Sequence, residues 1–236
     1  MQQPVIWDSW QEHFDTSEQT KKNVDLVGNF QDTIVPSIYN KIWNDVSLEV
    51  QKNKAKRHRL PPQETEQCLK QLCKRPYYLV SIAEKFDVKN IAEVGTAQGL
   101  QFFSFAEYAS KNNGHVWSCD IQDVRNKEYT QKYNQCATYC PGDSKKMAEN
   151  IPSDEKIDMF YIDGAHDYGS VVRDVVNLRK VQSENPIWVF DDFDKRFGCY
   201  YDIQRLCKMK KTFKIYRVGN AASGNPNHQV IIFGKL

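Results

Sequence analysis

Asn90-Ile-Ala-Glu-Val-Gly-Thr-Ala-Gln-Gly-Leu100 is the stretch whose reading decides the fold. Ile91, Ala92 and Val94 make a short apolar run, and Gly95 and Gly99 bracket a tight bend. Leu100, Phe102, Phe103, Phe105 and Ala106 then supply the inner faces of a helix. A strand, a glycine turn and a helix in that order open a ligand site beyond the carboxyl end of an open α/β sheet. Glu93 is the unexpected residue. A carboxylate at a strand tip, two residues before the first glycine, is a poor neighbour for a pyrophosphate and a good one for a cationic ligand.

Downstream of residue 90, short apolar runs alternate with helical patterns: 90–95 then 98–112, 115–120 then 126–133, 136–140 then 144–150, 157–163 then 169–183, and 187–191 then 197–210. That alternation predicts five βα units and a mainly parallel sheet. Val171, Val172, Val175, Val176, Leu178 and Val181 predict one apolar face on the fourth helix. The chain closes with two further strands, 213–218 and 229–233, whose connection has no room for a helix, so they pair as an antiparallel hairpin. Upstream, Glu64 to Phe86 reads as a helix that Pro76 breaks or kinks. Residues 1–62 carry scattered aromatics and an apolar repeat four apart, Ile34, Ile38, Ile42 and Val46, which predicts a helical cap or a dimer contact. The basic run at 52–59 ends at Pro61 and Pro62 and reads either as a solvated linker or as a contact for an acidic group. The division expected is 1–62 as a helical extension and 63–236 as the α/β domain.

Acidic residues recur at the expected strand tips. Asp120 ends the second strand about 25 residues after the first glycine, where a carboxylate accepts ribose hydroxyls or caps a helix. Gly142, Asp143 and Ser144 precede the third helix, as cap or as neighbours of a base or sugar. Asp163 emerges after the apolar fourth strand, His166 follows three residues on, and Asp191, Asp192 and Asp194 follow the fifth. Carboxylates gathered from two neighbouring tips suit Mg²⁺ or a similar hard divalent ion, the alternative being solvated loop and cap residues.

From residue 90 to the end the chain resembles the class I S-adenosylmethionine-dependent methyltransferases. It is most similar to small-molecule O-methyltransferases of the catechol and macrocin type. Glu93, Gly95 and Gly99 match the first motif of that family, with Ala97 where many members have a middle glycine. The resemblance implies a Rossmann-like α/β fold: a seven-stranded, mostly parallel sheet with a C-terminal antiparallel hairpin. It implies donor contacts at Glu93, Gly95, Thr96, Gly99, Asp120, Ile121, Gly142, Asp143, Ser144 and Asp163, and a metal at Asp163, Asp191 and Asp192. S-adenosylmethionine carries a sulfonium and an ammonium and no phosphate, so Glu93 agrees with it. His166 stands where catechol-type relatives place a catalytic lysine, and is the candidate base beside Asp163. His228, in the hairpin, is a second candidate. Sugar O-methyltransferases with an acid two residues after the strand-four Asp differ here, since that position is Ala165.

The expected reaction is methyl transfer to a hydroxyl of a small molecule, assisted by a divalent ion. Methylation of RNA or protein is the alternative within the family. The acidic rim opposes it, and the basic runs at 52–59 and 205–211 favour it. An NAD-dependent oxidoreductase is opposed by Glu93 and Ala97, and a non-catalytic partner-binding scaffold by carboxylates at every tip. Bulk properties set the remaining bounds. A chain of 236 residues buries one good core, and a net charge of +2 does not point to nucleic acid. Seven cysteines without CxxC pairs predict reduced thiols. The start of the chain lacks a signal-peptide pattern and no apolar run spans a bilayer, which predicts a cytoplasmic protein without membrane contact.

Overall fold

The structure, a computed structural model, describes residues 74–125, 127–210, 213–220 and 226–236. The extension at 1–62, its basic run, the proposed dimer contact and the first turns expected from Glu64 lie outside the described residues. The first described element is helix α1, Lys74–Lys85. Pro76 lies within these helical residues, which run on from it to Lys85 without a break.

Five βα units follow: β1 Asn90–Val94 and α2 Leu100–Asn112, β2 His115–Asp120 and α3 Lys127–Lys132, β3 Ala137–Pro141 and α4 Ser144–Asn150, β4 Ile157–Ile162 and α5 Ser170–Leu178, β5 Gln182–Phe190 and α6 Cys199–Lys210. Strands β6 Phe213–Asn220 and β7 Pro226–Phe233 complete a seven-stranded sheet in the order β3-β2-β1-β4-β5-β7-β6. The first five strands are parallel, and β7 runs antiparallel to both β5 and β6. The expected fold is thus observed. No helix among the described residues is long and apolar enough to cross a membrane.

Two boundaries differ from expectation, for physical reasons. The fourth helix ends at Leu178, passes through a single 3₁₀ turn at Arg179–Val181, and gives way to β5 five residues early. The early part of β5 is Gln-Ser-Glu-Asn, partly or fully exposed, so it has no apolar run to announce it. Its pairing with β4 shifts register between Ile157 and Met159 and resumes at Ile187, within the buried run. Pro186, which cannot donate to a ladder, falls in that stretch. On α5 the buried face comprises Val171, Asp174, Val175 and Leu178, whereas Val176 is exposed. Asp174 thus joins the buried face and Val176 leaves it.

Alternation along the strands sorts the core into two layers. Ala92, Trp117, Phe160, Ile162, Trp188 and Phe190 face α4, α5 and α6. Ile91, Val116, Met159, Tyr161, Ile187 and Val189 face α1 and α2. In the first layer the Trp188 ring stacks on Phe160 at 3.8 Å and 9°, with both side chains fully buried. Trp188→Ala is expected to destabilise the fold by about 3–5 kcal/mol, read as a lower denaturant midpoint at unchanged m-value. The sheet order reverses between β1 and β4, and a crevice for ligands opens at such a switch point beyond the strand tips.

Candidate active site

The β1 tip and the β4 tip touch at this crevice. A Cβ on Gly95 would lie 2.0 Å from the Asp163 carbonyl oxygen, so only glycine allows the approach, and its φ of 97° belongs to glycine as well. Gly95 N–H donates to the Cys119 carbonyl, and Asp163 N–H to the Val94 carbonyl, both at 2.9 Å. These bonds join the tips of β1, β2 and β4 into one rim. Gly99, also left-handed at φ 87°, caps α2.

Glu93 points from β1 into the layer facing α2 and is fully buried. Ser118, its register partner on β2, donates to Oε2 at 2.6 Å. With Ser118 donating, Thr96 Oγ1 serves it in turn at 2.6 Å, a short chain of hydroxyls behind the carboxylate. The other oxygen, Oε1, is buried without a hydrogen-bond partner. Burial pushes the Glu93 carboxyl up to about 8, opposed by the Ser118 bond and assisted by the charges of Asp163 and Asp120. Gln101, in the first turn of α2, is buried with neither amide atom partnered. Three unpartnered polar atoms, on Glu93 and Gln101, thus flank one glycine turn. Sequence reading missed Gln101 because a glutamine in a first helical turn carries no pattern of its own.

Asp120 accepts from the Ala97 N–H at 2.8 Å and from the Gln122 N–H at 3.3 Å. It therefore supports the turn, where Ala97 holds a left-handed φ of 45°. Ile121 beside it is 83% exposed, an apolar side chain left open at the β2 tip. Gly142 has φ 125° and Asp143 caps α4, its carboxylate accepting from the Lys146 N–H at 3.0 Å. Ser144 is buried and donates to Asp174 on α5 at 2.6 Å while accepting from Asn177 at 3.0 Å. Asp143 and Ser144 thus stand in the β3–α4 turn at the rim, engaged with protein partners. Burial raises the Asp174 carboxyl, the Ser144 bond opposing the shift.

The β4 and β5 tips bring Asp163, His166 and Asp192 together, with one ligand atom of each within 4.8 Å of the others. His166 Nε2 lies 2.7 Å from Asp192 Oδ2. The Asp192 bond, reinforced by the charges of Asp192, Asp163 and Asp191, raises the His166 pKa against partial desolvation. Asp192 itself sits at φ 53°, a left-handed backbone conformation uncommon for a non-glycine residue. Asp191 turns inward and is buried. Gln229 donates to its Oδ1 at 3.4 Å and Tyr161 to its Oδ2 at 3.0 Å. The Tyr161 hydroxyl is also 3.0 Å from Asp163 Oδ2, so a single proton is shared between two carboxylates. Of the three expected metal-binding acids, Asp163 and Asp192 share the open cluster with His166, and Asp191 lies behind them. His228 lies outside the residues whose side chains are described.

Residues 92–193, which hold the glycine turn and all these tips, match the family described as a methyltransferase domain. No curated protein matches the chain significantly. Among solved structures, the chain is similar to the O-methyltransferase from Bacillus cereus in complex with SAH, at 14% identity, TM-score 0.58, covering 92% of this chain and 96% of that one. It is also similar to the O-methyltransferase TomG from Streptomyces achromogenes, involved in tomaymycin synthesis and in complex with SAM, at 13% identity, TM-score 0.57, covering 93% and 100%. A third is cofactor-bound Rv0187 from MTB, at 12% identity, TM-score 0.54, covering 98% of both chains. The family match over residues 92–193 is to a methyltransferase domain, and the likeness to these solved structures is one of fold.

Proposed function

We propose that the protein transfers the methyl group of S-adenosylmethionine to a hydroxyl of a small molecule, with a divalent cation assisting. The observation that carries this reading is the cluster of Asp163, His166 and Asp192, set at the β4 and β5 tips beside the glycine turn. The methionine end of the donor would lie at Gly95 and Gly99, its ammonium answered by Glu93 and its remaining polar atoms by Gln101. Asp120 and Ile121 would meet the ribose and adenine, with the Gly142 turn at the far edge. The names of the solved relatives, O-methyltransferases with SAM or SAH, support both donor and reaction class.

Methyl transfer is an in-line displacement, so the protein's work is alignment of the acceptor oxygen and removal of its proton. His166 would take that proton, its ring oriented by Asp192. The donor chemistry of the cluster fits a hard divalent ion such as Mg²⁺. Oxygen ligands predominate, and the proton shared by Tyr161 shows how densely carboxylates crowd this rim. Asp163 and Asp192 would hold the ion, with Asp191 behind them. When bound, the ion supplies Lewis acidity that lowers the pKa of an acceptor hydroxyl.

Incubating the protein with S-adenosylmethionine and a panel of hydroxylated small molecules is expected to yield S-adenosylhomocysteine and an O-methylated product by mass spectrometry. EDTA should lower the rate and added Mg²⁺ restore it. Full activity in EDTA rejects the ion. Stabilisation by NAD and not by S-adenosylmethionine in a thermal shift assay rejects the donor.

A further inference from the structure

Gly198 ends the β5–α6 loop at the point where it meets the β4–α5 loop. A Cβ there would stand 2.4 Å from the Tyr168 nitrogen, 2.9 Å from the Asp167 carbonyl carbon and 3.2 Å from the His166 carbonyl oxygen. All three are backbone atoms, so no rotamer change relieves the overlap. Gly198 is absent from the residues with positive φ, so what it needs is space and not a left-handed backbone. The following residue adds a bond, with Cys199 N–H donating to the His166 carbonyl at 3.1 Å. The two loops therefore meet backbone to backbone at 198–199 and side chain to side chain at His166 and Asp192, 2.7 Å apart. The Phe197 ring fills the gap, its centroid 4.8 Å from that of the imidazole. Within the β5–α6 loop, Asp194 accepts from both the backbone N–H and the guanidinium of Arg196. Asp194 N–H donates to the Asp192 carbonyl at 2.7 Å and Phe197 N–H to the Asp194 carbonyl at 2.9 Å. The Cys199 thiol reaches the Asp192 carbonyl at 3.7 Å, so bonds stiffen the loop along its length from Asp192 to Cys199.

We infer that Gly198 is a positioning residue: its missing side chain lets the Asp192 loop lie close enough to the His166 loop for the carboxylate to hold the imidazole. The inference rests on the reading of His166 as the base. A methyl group at 198 pushes the stiff loop away as a unit, and the pair, at the far end of the contact, opens with it. A misplacement of about 1 Å in a catalytic group costs on the order of 100-fold in rate.

The test compares Gly198→Ala with Gly169→Ala. Gly169 caps α5 in the same loop region with φ 85°, and nothing lies within 4 Å of a Cβ built there. Alanine at 169 strains the backbone but displaces no neighbour. Both variants should lose thermal stability. Gly198→Ala should also lose about 100-fold in kcat, with an unchanged Kd for S-adenosylmethionine by calorimetry. Its crystal structure should show His166 and Asp192 beyond hydrogen-bond distance. Gly169→Ala should keep wild-type kcat. If Gly198→Ala does not fold, Cys199→Pro takes its place, since position 199 is the first residue of α6, where proline is tolerated. That change removes the N–H bonded to His166. Wild-type kcat with an intact pair in whichever variant folds overturns the inference. A wild-type protein that methylates no acceptor sinks the base reading instead, while the separation in the variant's crystal structure still decides the positioning.

Discussion

Glu93→Gln is expected to weaken binding of S-adenosylmethionine by about 1.5–3 kcal/mol, the range for a charge-assisted hydrogen bond, or roughly one to two orders of magnitude in Kd. The carboxyl has no route to water and one oxygen without a partner. Burial raises it to about 8, so near neutral pH the ligand-free protein holds it largely protonated. The proposed ammonium contact would draw it back to the ionised form, and binding would release a proton. Affinity should therefore rise as pH increases toward 8 in the wild type and stay flat over that interval in Glu93→Gln. Stability runs the other way. The folded-state pKa lies above the unfolded one, so the folded protein binds the extra proton. Its stabilisation is complete below the ordinary glutamate value and is lost as pH rises toward about 8. The Tm difference between wild type and Glu93→Gln should thus move against the wild type across that window. Calorimetry at several pH values, in buffers of different ionisation enthalpy, reads the released proton directly. Equal proton release by wild type and Glu93→Gln would show that Glu93 does not ionise on binding.

Glu93 also marks how much of this site was legible before the fold was known. Its position before Gly95 and its charge were enough to predict a cationic ligand, because strand alternation and a glycine turn constrain the chain locally. The same holds for the strand tips, since each carboxylate stands where a short apolar run ends. What was not legible depends on which way a tip residue turns. Asp191 and Asp192 are adjacent in sequence and read as an equivalent pair. A strand sends neighbours to opposite sides, and the left-handed φ at Asp192 completes the separation. One acid goes to Tyr161 and Gln229, the other to His166. Ser144 likewise reads as a rim residue until α5 brings Asp174 against it. Contacts of this kind come from packing between elements far apart in sequence, and no local period encodes them. The start of β5 was missed for a related reason, since Gln182 is held by pairing with Ile157 and by bonds to Leu236, and Glu184 by Lys235, and not by burial.

His166→Ala is expected to lower kcat by about 10²–10⁴-fold, the usual contribution of a positioned general base, with little change in the Kd for S-adenosylmethionine. Asp192→Asn separates the proposed base, His166, from its support. Asparagine keeps the size of the side chain and removes the charge that raises the His166 pKa most. An imidazole accepts a proton only when neutral, so the wild-type rate should rise with pH along a limb above the ordinary histidine value. In Asp192→Asn the limb should shift to lower pH and the plateau should fall, because a ring no longer held at 2.7 Å spends less time aligned. The stability consequence has a definite sign. A histidine whose folded pKa is raised stabilises fully below its unfolded value and loses that contribution as pH rises through the raised one. Wild type should accordingly outlast His166→Ala in Tm most at mildly acid pH and converge with it at alkaline pH. A rate limb at the same pH in wild type and Asp192→Asn would separate the two side chains functionally, whatever their distance. The limb is a better discriminator than the loss of rate alone, since a merely disrupted loop lowers the plateau without moving the pH at which it is reached.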